Sequence, residues 1–341
     1  MKNRNLLLVL FVVLGLAAWF FTNRNNSSTL SKGNDFAIEN AQQVVHKVFM
    51  ADKGGQKVLI EKKNGQWLVN DTYNARPAAL ETLLETMERI RVREQVPVNA
   101  EKNVINEIAI EGIKAEFYDK NGKELKTVYI GGSAPGKLGT YAMLEGAKYP
   151  YVVDLGSWEG LLRPRFFLGE LDWRDKTVFG YKDSQIKSVK VEYYQQPNSS
   201  FFLDREQNGF SVKAIRPDLA HVVPDKPLVE QKALYYVKGF ERQIAEGFEN
   251  DNPKRDSITQ QIPFATIQVQ TTGGESKKVD LFPVPGRQIG ILPDGSPKRG
   301  AVERYFASVN DNAEFMLVQH LNFKRLLAPI SFFFEEELPE N

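Results

Sequence analysis

Gly131-Gly-Ser-Ala-Pro-Gly136-Lys137 has the G-x-x-x-x-G-K spacing of a phosphate-binding loop, in which backbone N–H groups and a lysine cradle phosphate oxygens. Leu138 stands where that loop needs a Ser or Thr hydroxyl for Mg²⁺. The next segment, Gly139-Thr-Tyr-Ala-Met-Leu-Glu145, has strand character, so no helix N-terminus is expected to receive an anion there. A related loop, Pro285-Gly286-Arg287-Gln-Ile-Gly290, occurs later in the chain. Lys137 and Arg287 therefore read as parallel loop cations and not as nucleotide ligands.

The densest charged cluster is Gly169-Glu-Leu-Asp-Trp-Arg-Asp-Lys176. Its carboxylates could serve as acid and base in a hydrolase if a cleft separated their pKa values. The plainer expectation is a structural junction of Asp172, Trp173, Arg174 and Asp175, with Trp173 packed between two domains and Arg174 paired with a neighbouring carboxylate. His46, His221 and His320 lie far apart and form no His-x-x-x-His pair. Cysteine is absent, which excludes disulfides, thiolate metal sites and a Cys nucleophile. No Gly-x-Ser-x-Gly elbow occurs. No catalytic residue, metal or cofactor is expected. Forty-four Lys+Arg against 43 Asp+Glu provide no global field to recruit nucleic acid.

The elements that must carry these residues come in two copies. Trp158-Glu-Gly-Leu-Leu-Arg-Pro-Arg-Phe-Phe-Leu-Gly-Glu170 returns without a gap as Phe323-Lys-Arg-Leu-Leu-Ala-Pro-Ile-Ser-Phe-Phe-Phe-Glu335. Upstream of the first copy, 44–50, 57–62 and 66–69 alternate as strands around the hairpin turn Asn64-Gly65. Pro77 opens an amphipathic helix with Leu80, Leu83, Leu84, Met87 and Ile90 at helical spacing, and a short helical piece follows at 104–108. Strands at 113–118, 125–130, 141–145 and 149–155 complete the unit, with Ser157 as N-cap of a helix carrying Trp158, Leu161 and Leu162.

The second copy repeats the order. Strands at 186–194 and 201–212 precede a helix over 229–248 with Leu234, Val237 and Phe240 on one side. Strands at 266–270, 278–282, 305–309 and 315–320 follow, and Asn322 takes the place of Ser157. His320 corresponds to Leu155, which favours packing over catalysis. The fold class expected is α+β: two tandem repeats, 35–172 and 173–341, each an antiparallel sheet covered by an amphipathic helix. The copies differ most at 284–300, where Ile289, Ile291 and Leu292 sit among prolines, glycines and cations. Long loops with their own apolar residues are often functional, so Arg287, Ile289, Ile291 and Lys137 are the candidate partner contacts.

Ahead of both copies, Leu6 to Phe21 is an uncharged apolar run preceded by Lys2 and Arg4. As a helix it is roughly 25 Å long, just short of a ~30 Å hydrocarbon core. It ends in Trp19-Phe20-Phe21 and not in the small residues a signal peptidase wants, so residues 1–22 are expected to stay as a transmembrane anchor in the lipid bilayer. Lys2 and Arg4 place the N-terminus in the cytoplasm and the bulk in the periplasm. Asn23 to Asn34 is a polar, small-residue tether.

Val58-Leu-Ile-Glu-Lys-Lys-Asn-Gly-Gln-Trp-Leu-Val69, Ala75-Arg-Pro77 and Phe167-Leu-Gly-Glu-Leu-Asp-Trp-Arg-Asp-Lys-Thr-Val-Phe179 resemble bacterial membrane-anchored proteins of the domain-of-unknown-function family 4340. The resemblance implies an envelope protein at the bacterial inner membrane with no established activity. It also implies membrane-protein partners, because some members are encoded beside ABC-transporter permeases. The function expected is an extracytoplasmic scaffold or binding subunit accessory to a complex such as an ABC-type transporter. The alternative is a cell-envelope hydrolase using the carboxylates near Trp173. Protease added to intact spheroplasts should degrade the region after Asn34, and full protection of that region would contradict the topology.

Overall fold

A computed structural model of the protein describes residues 35–137, 139–156, 160–292 and 296–335. The expected anchor, the tether, Leu138, Ser157, Trp158 and the acidic end from Glu336 lie outside the described residues. Among the described residues no helix is long and apolar enough to cross a membrane. The chain divides into two compact units between Asp175 and Lys176, so Trp173, Arg174 and Asp175 stay with the first unit instead of opening the second.

In the first unit, β1 (Lys47–Asp52), β2 (Lys57–Lys63), β3 (Gln66–Val69) and β4 (Tyr73–Asn74) form an antiparallel meander. Asn64 and Gly65 both adopt positive φ, 51° and 83°, as the two-residue turn between β2 and β3 requires. After the Pro77–Arg89 helix come β5 (Arg91–Gln95), a second helix at Val98–Glu111, and then β6 (Ile113–Tyr118), β7 (Glu124–Ser133), β8 (Thr140–Leu144) and β9 (Tyr151–Asp154). The sheet order is β4-β3-β2-β1-β6-β7-β8-β9-β5.

The second unit begins with β10 (Thr177–Phe179), β11 (Ile186–Tyr193), β12 (Phe201–Glu206) and β13 (Gly209–Lys213). The Glu230–Lys238 helix leads to β14 (Gln243–Ile244) and β15 (Gly247–Phe248), then to β16 (Ala265–Thr271) and β17 (Ser276–Pro283). The hairpin strands β18 (Gln288–Ile291) and β19 (Pro297–Arg299) precede β20 (Arg304–Val309) and β21 (Glu314–Gln319). The main sheet runs β13-β12-β11-β16-β17-β20-β21-β15. Strand for strand this is the first sheet without β4. Mixed α and β structure with antiparallel sheets and few helices is thus built twice in one topology.

The apolar face of the Pro77–Arg89 helix explains why it lies on its sheet. Leu80, Leu83, Leu84 and Met87 are buried against Val48, Val58, Ile60, Ala115 and Val128. Burying each such side chain stabilises the fold by about 1.5 to 3 kcal/mol. Strand side chains alternate faces, so Tyr129, Tyr141 and Val152 point the other way and receive Val104 and Ile108 of the Val98–Glu111 helix. That helix spans 14 residues where the sequence suggested a short piece, and it gives the first sheet a cover on its second face.

Four expectations are corrected. The helix expected over 229–248 stops at Lys238, with Gly239 as its C-cap, where an added Cβ would meet the Tyr236 carbonyl and the Leu326 side chain. Gln243–Ile244 and Gly247–Phe248 become strands instead. The buried face is Lys232, Ala233, Tyr236 and Val237, leaving Leu234 36% exposed. Asn322 lies inside the His320–Phe323 helix, whose N-cap is Gln319, and Leu161 and Leu162 are not helical. The paired leucines also differ in burial: Leu162 is fully buried in the first unit and Leu326 in the second.

Leu83→Ala should destabilise the first unit by about 2 to 5 kcal/mol through a core cavity. Leu234→Ala should change stability by less than about 0.5 kcal/mol. Denaturant unfolding of both variants measures the difference, and equal losses would contradict the assigned helix faces.

Candidate functional site

The enlarged loop at 284–300 is a hairpin inserted at a defined point of the shared topology. In the first unit the β7–β8 connection is short and includes a single 3₁₀ turn, Pro135–Lys137, with Gly136 at φ 70°. At the matching β17–β20 connection the second unit inserts β18 and β19, paired only with each other. Gly286 forms the neck of this hairpin. A Cβ there would collide with the carbonyl oxygens of Gly300 and Ala301, so only glycine allows the two arms to approach. The Gly300 N–H donates to the Arg287 carbonyl at 2.9 Å and closes the neck.

Beyond the neck, Ile289 and Ile291 are 61% and 70% exposed. Ile289 sits at a bulge in the β18–β19 pairing, Ile291 pairs opposite Pro297, and exposed Leu292 directly follows the strand. Arg287 is also exposed, and the Arg299 guanidinium donates to the Gly286 carbonyl at 3.3 Å. The structure thus brings Arg287, Ile289 and Ile291 together on one projecting element. Lys137 sits in the equivalent turn of the first unit, and its side chain is outside the described residues. β8 follows that turn, so no helix N-terminus is presented to phosphate there.

The Asp172–Asp175 cluster closes the first unit. Trp173 is fully buried in the first unit's core, stacked on Phe167 at 4.2 Å, with its indole N–H donating to the Phe167 carbonyl at 2.7 Å. The Arg174 guanidinium lies 3.5 Å from the Tyr73 ring centroid and 3.8 Å from the Glu170 carboxylate. Backbone bonds from Arg76 N–H to the Trp173 carbonyl and from Asp175 N–H to the Asn74 carbonyl extend the edge beside β4. The expectation that Arg174 pairs with a neighbouring carboxylate is met by Glu170. Trp173 is a core residue of one unit.

Asp175 borders a cleft of about 450 Å³ that the sequence did not reveal. Trp67, Pro77, Leu80 and Leu84 give it an apolar floor, and Gln66, Asn74, Glu81 and Asp175 supply polar groups. A mostly apolar cleft with a few convergent polar groups suits a small polar ligand or a peptide chain. Asp172 is exposed and does not line it. Gln42 and Asp175 join the lining from residues 66–84 only in the folded unit, so the cleft has no contiguous signature in the sequence.

The histidines do not converge. His46 Nδ1 lies 3.2 Å from the Val44 carbonyl, His221 Nδ1 lies 3.0 Å from the Asp218 carbonyl, and His320 Nδ1 lies 3.0 Å from the Tyr305 hydroxyl. Each is engaged locally.

Residues 67–257, which run from β3 into the second unit, match the sequence profile of a family described as Domain of unknown function (DUF4340). No curated protein and no solved structure matches the chain.

Replacing Arg174 by Lys removes the planar group from the Tyr73 ring while keeping the charge. The variant should lose about 1 to 2 kcal/mol, the range for a desolvated cation–π contact. Asp172→Asn should melt with the unaltered protein, and a melting curve unchanged by Arg174→Lys would contradict the packing role.

Proposed function

The chain belongs to the DUF4340 family, and on that premise we propose that it is a membrane-anchored extracytoplasmic binding subunit, accessory to a membrane complex such as an ABC-type transporter. The observation that carries the binding role is the projecting β18–β19 hairpin. It adds exposed Ile289, Ile291 and Leu292 at a point where the sister unit has only a turn. Single exposed apolar residues are ordinary, but three on one protruding element make a cohesive contact strip. Its apolar centre beside Arg287 and Lys298 has the composition of a protein interface, with a dry middle and a charged rim.

The anchoring half of the proposal is supported by the uncharged run from Leu6 to Phe21 with Lys2 and Arg4 before it. The tether from Asn23 to Asn34 would let the two units reach a partner in the same membrane. The duplicated fold supports a scaffold: one copy keeps the plain turn, and the other carries the insertion.

Alanine at Arg287, Ile289 and Ile291 together should reduce co-purification of the membrane partner at least about tenfold, since buried hot-spot side chains each contribute on the order of 1 to 2 kcal/mol or more. Recovery of the partner by pull-down from solubilised membranes measures it. Unchanged recovery with a normally folded triple variant would count against the hairpin.

A further inference from the structure

The two units fill one corner of their shared fold differently. Strand register aligns them: Val48↔Ile60 and Ile60↔Val69 in the first unit match Val189↔Leu203 and Leu203↔Val212 in the second. The cross-strand pair Lys62↔Trp67 therefore corresponds to Arg205↔Phe210. In the short helical turn ahead of β1 or β11, six residues before the aligned valines, Gln42 corresponds to Asp183.

In the second unit an internal cation occupies this corner. The Arg205 guanidinium lies 4.6 Å from the Phe210 ring centroid. Its Nε donates to the Ile186 carbonyl at 3.0 Å and its Nη2 to the Asp183 carbonyl at 2.6 Å. A planar guanidinium serves the aromatic face and the carbonyls together.

In the first unit the same corner is the cleft of about 450 Å³, with Gln42 and Trp67, the counterparts of Asp183 and Phe210, on its wall. Lys62 is exposed and does not line it, nor does any other lysine or arginine. Two carboxylates do, those of Glu81 and Asp175. The Ala75 N–H donates to the Trp67 carbonyl and the Asp175 N–H to the Asn74 carbonyl, both at 2.8 Å. Trp67, the Asn74–Ala75 segment and Asp175 thus sit on adjoining backbone segments, each step about 5 Å. The helix that carries Glu81 starts at Pro77, two residues after Ala75, and so overhangs the same segments.

The helices differ in the complementary sense. Leu80, Leu83 and Leu84 are buried in one as Ala233, Tyr236 and Val237 are in the other, which places Glu81 where the second unit has Leu234. The second unit supplies the cation and an apolar residue; the first supplies carboxylates and no cation. The N-terminal end of the Pro77–Arg89 helix carries only about half a positive charge, which leaves the cleft negative. Glu81, Gln42 and Pro77 are exposed and Trp67 is half-buried, so these groups are open to a ligand.

We propose that this cleft binds the guanidinium group of an arginine-like ligand, placed on Trp67 as Arg205 is on Phe210. Glu81 and Asp175 provide its counter-charge, and its alkyl stem lies along Pro77. Two sources carry that chemistry: a small soluble guanidine and an arginine side chain in an extended peptide. The site does not depend on the β18–β19 hairpin or on the partner proposed for it.

Isothermal titration of the full-length protein in a non-ionic detergent tests the proposal. The probes are agmatine, the peptide acetyl-Ala-Arg-Ala-amide, and the same peptide with uncharged citrulline in place of arginine. At least one guanidinium probe should bind at least about tenfold more tightly than the citrulline peptide, and the tighter of the two identifies the source. Glu81→Gln, on an exposed side chain, should weaken binding about threefold without moving the melting curve. Lys62→Arg gives the first unit the residue that fills the second, so it should weaken binding about tenfold, whereas Lys62→Gln should leave it unchanged. Binding of neither guanidinium probe, equal binding of the citrulline peptide, or wild-type affinity in Glu81→Gln or Lys62→Arg would overturn the proposal.

Discussion

In each unit the chain finishes its first meander at one edge of the sheet and must return at the opposite edge, where β5 pairs with β9 and β15 pairs with β21. The helix makes that crossing, so its apolar stripe is held over the sheet by connectivity as well as by burial. In the first unit the crossing is tight. A 13-residue helix and its flanking residues reach at most about 37 Å, whereas eight flat inter-strand spacings span about 38 Å. The connection therefore has almost no slack, and the twist of the strands eases it. Leu83, Leu84 and Met87 fill the space between helix and sheet.

Charge pairs then fasten the returning edge. Asp154, 6% exposed, accepts from Arg91 at 2.9 Å and lies 3.5 Å from the Arg93 guanidinium, tying β5 to β9. In the second unit Arg304 and Glu246 bring the segment before β15 to β20. A buried Lys232, 1% exposed, lies 4.8 Å over the Phe332 ring and 3.7 Å from Glu335, which fixes the helix to the end of the chain. Removing the partner of such a buried cation leaves an uncompensated charge, a loss larger than the pair's net contribution.

These features explain what could be read from the residues. Hairpins with Asn-Gly turns and alternating strands were legible almost to the residue, as 57–62, 66–69 and 113–118 show beside β2, β3 and β6. The edge strand Arg91-Val-Arg-Glu-Gln95 was not, because it is charged, largely exposed and held by backbone bonds and Asp154 instead of an apolar face. The Glu230–Lys238 helix was overextended because Phe240 continues its apolar period past the C-cap, Gly239. Of the candidate site residues, Arg287, Ile289 and Ile291 were legible as an insertion between copies. The cleft beside Asp175 was not legible because Gln42 and Asp175 join residues 66–84 only in the folded unit.

The β18–β19 hairpin, which has no counterpart among the described residues of the first unit, is the element proposed to meet a partner. Site-specific photo-cross-linking in intact cells tests this most directly, with the cross-linker placed at Ile289 or Ile291 and, as a control, at Ile262, which is 74% exposed elsewhere in the same unit. The hairpin positions should give one discrete membrane-protein adduct that the control lacks. No adduct from the hairpin, or the same adduct from all three positions, would contradict it.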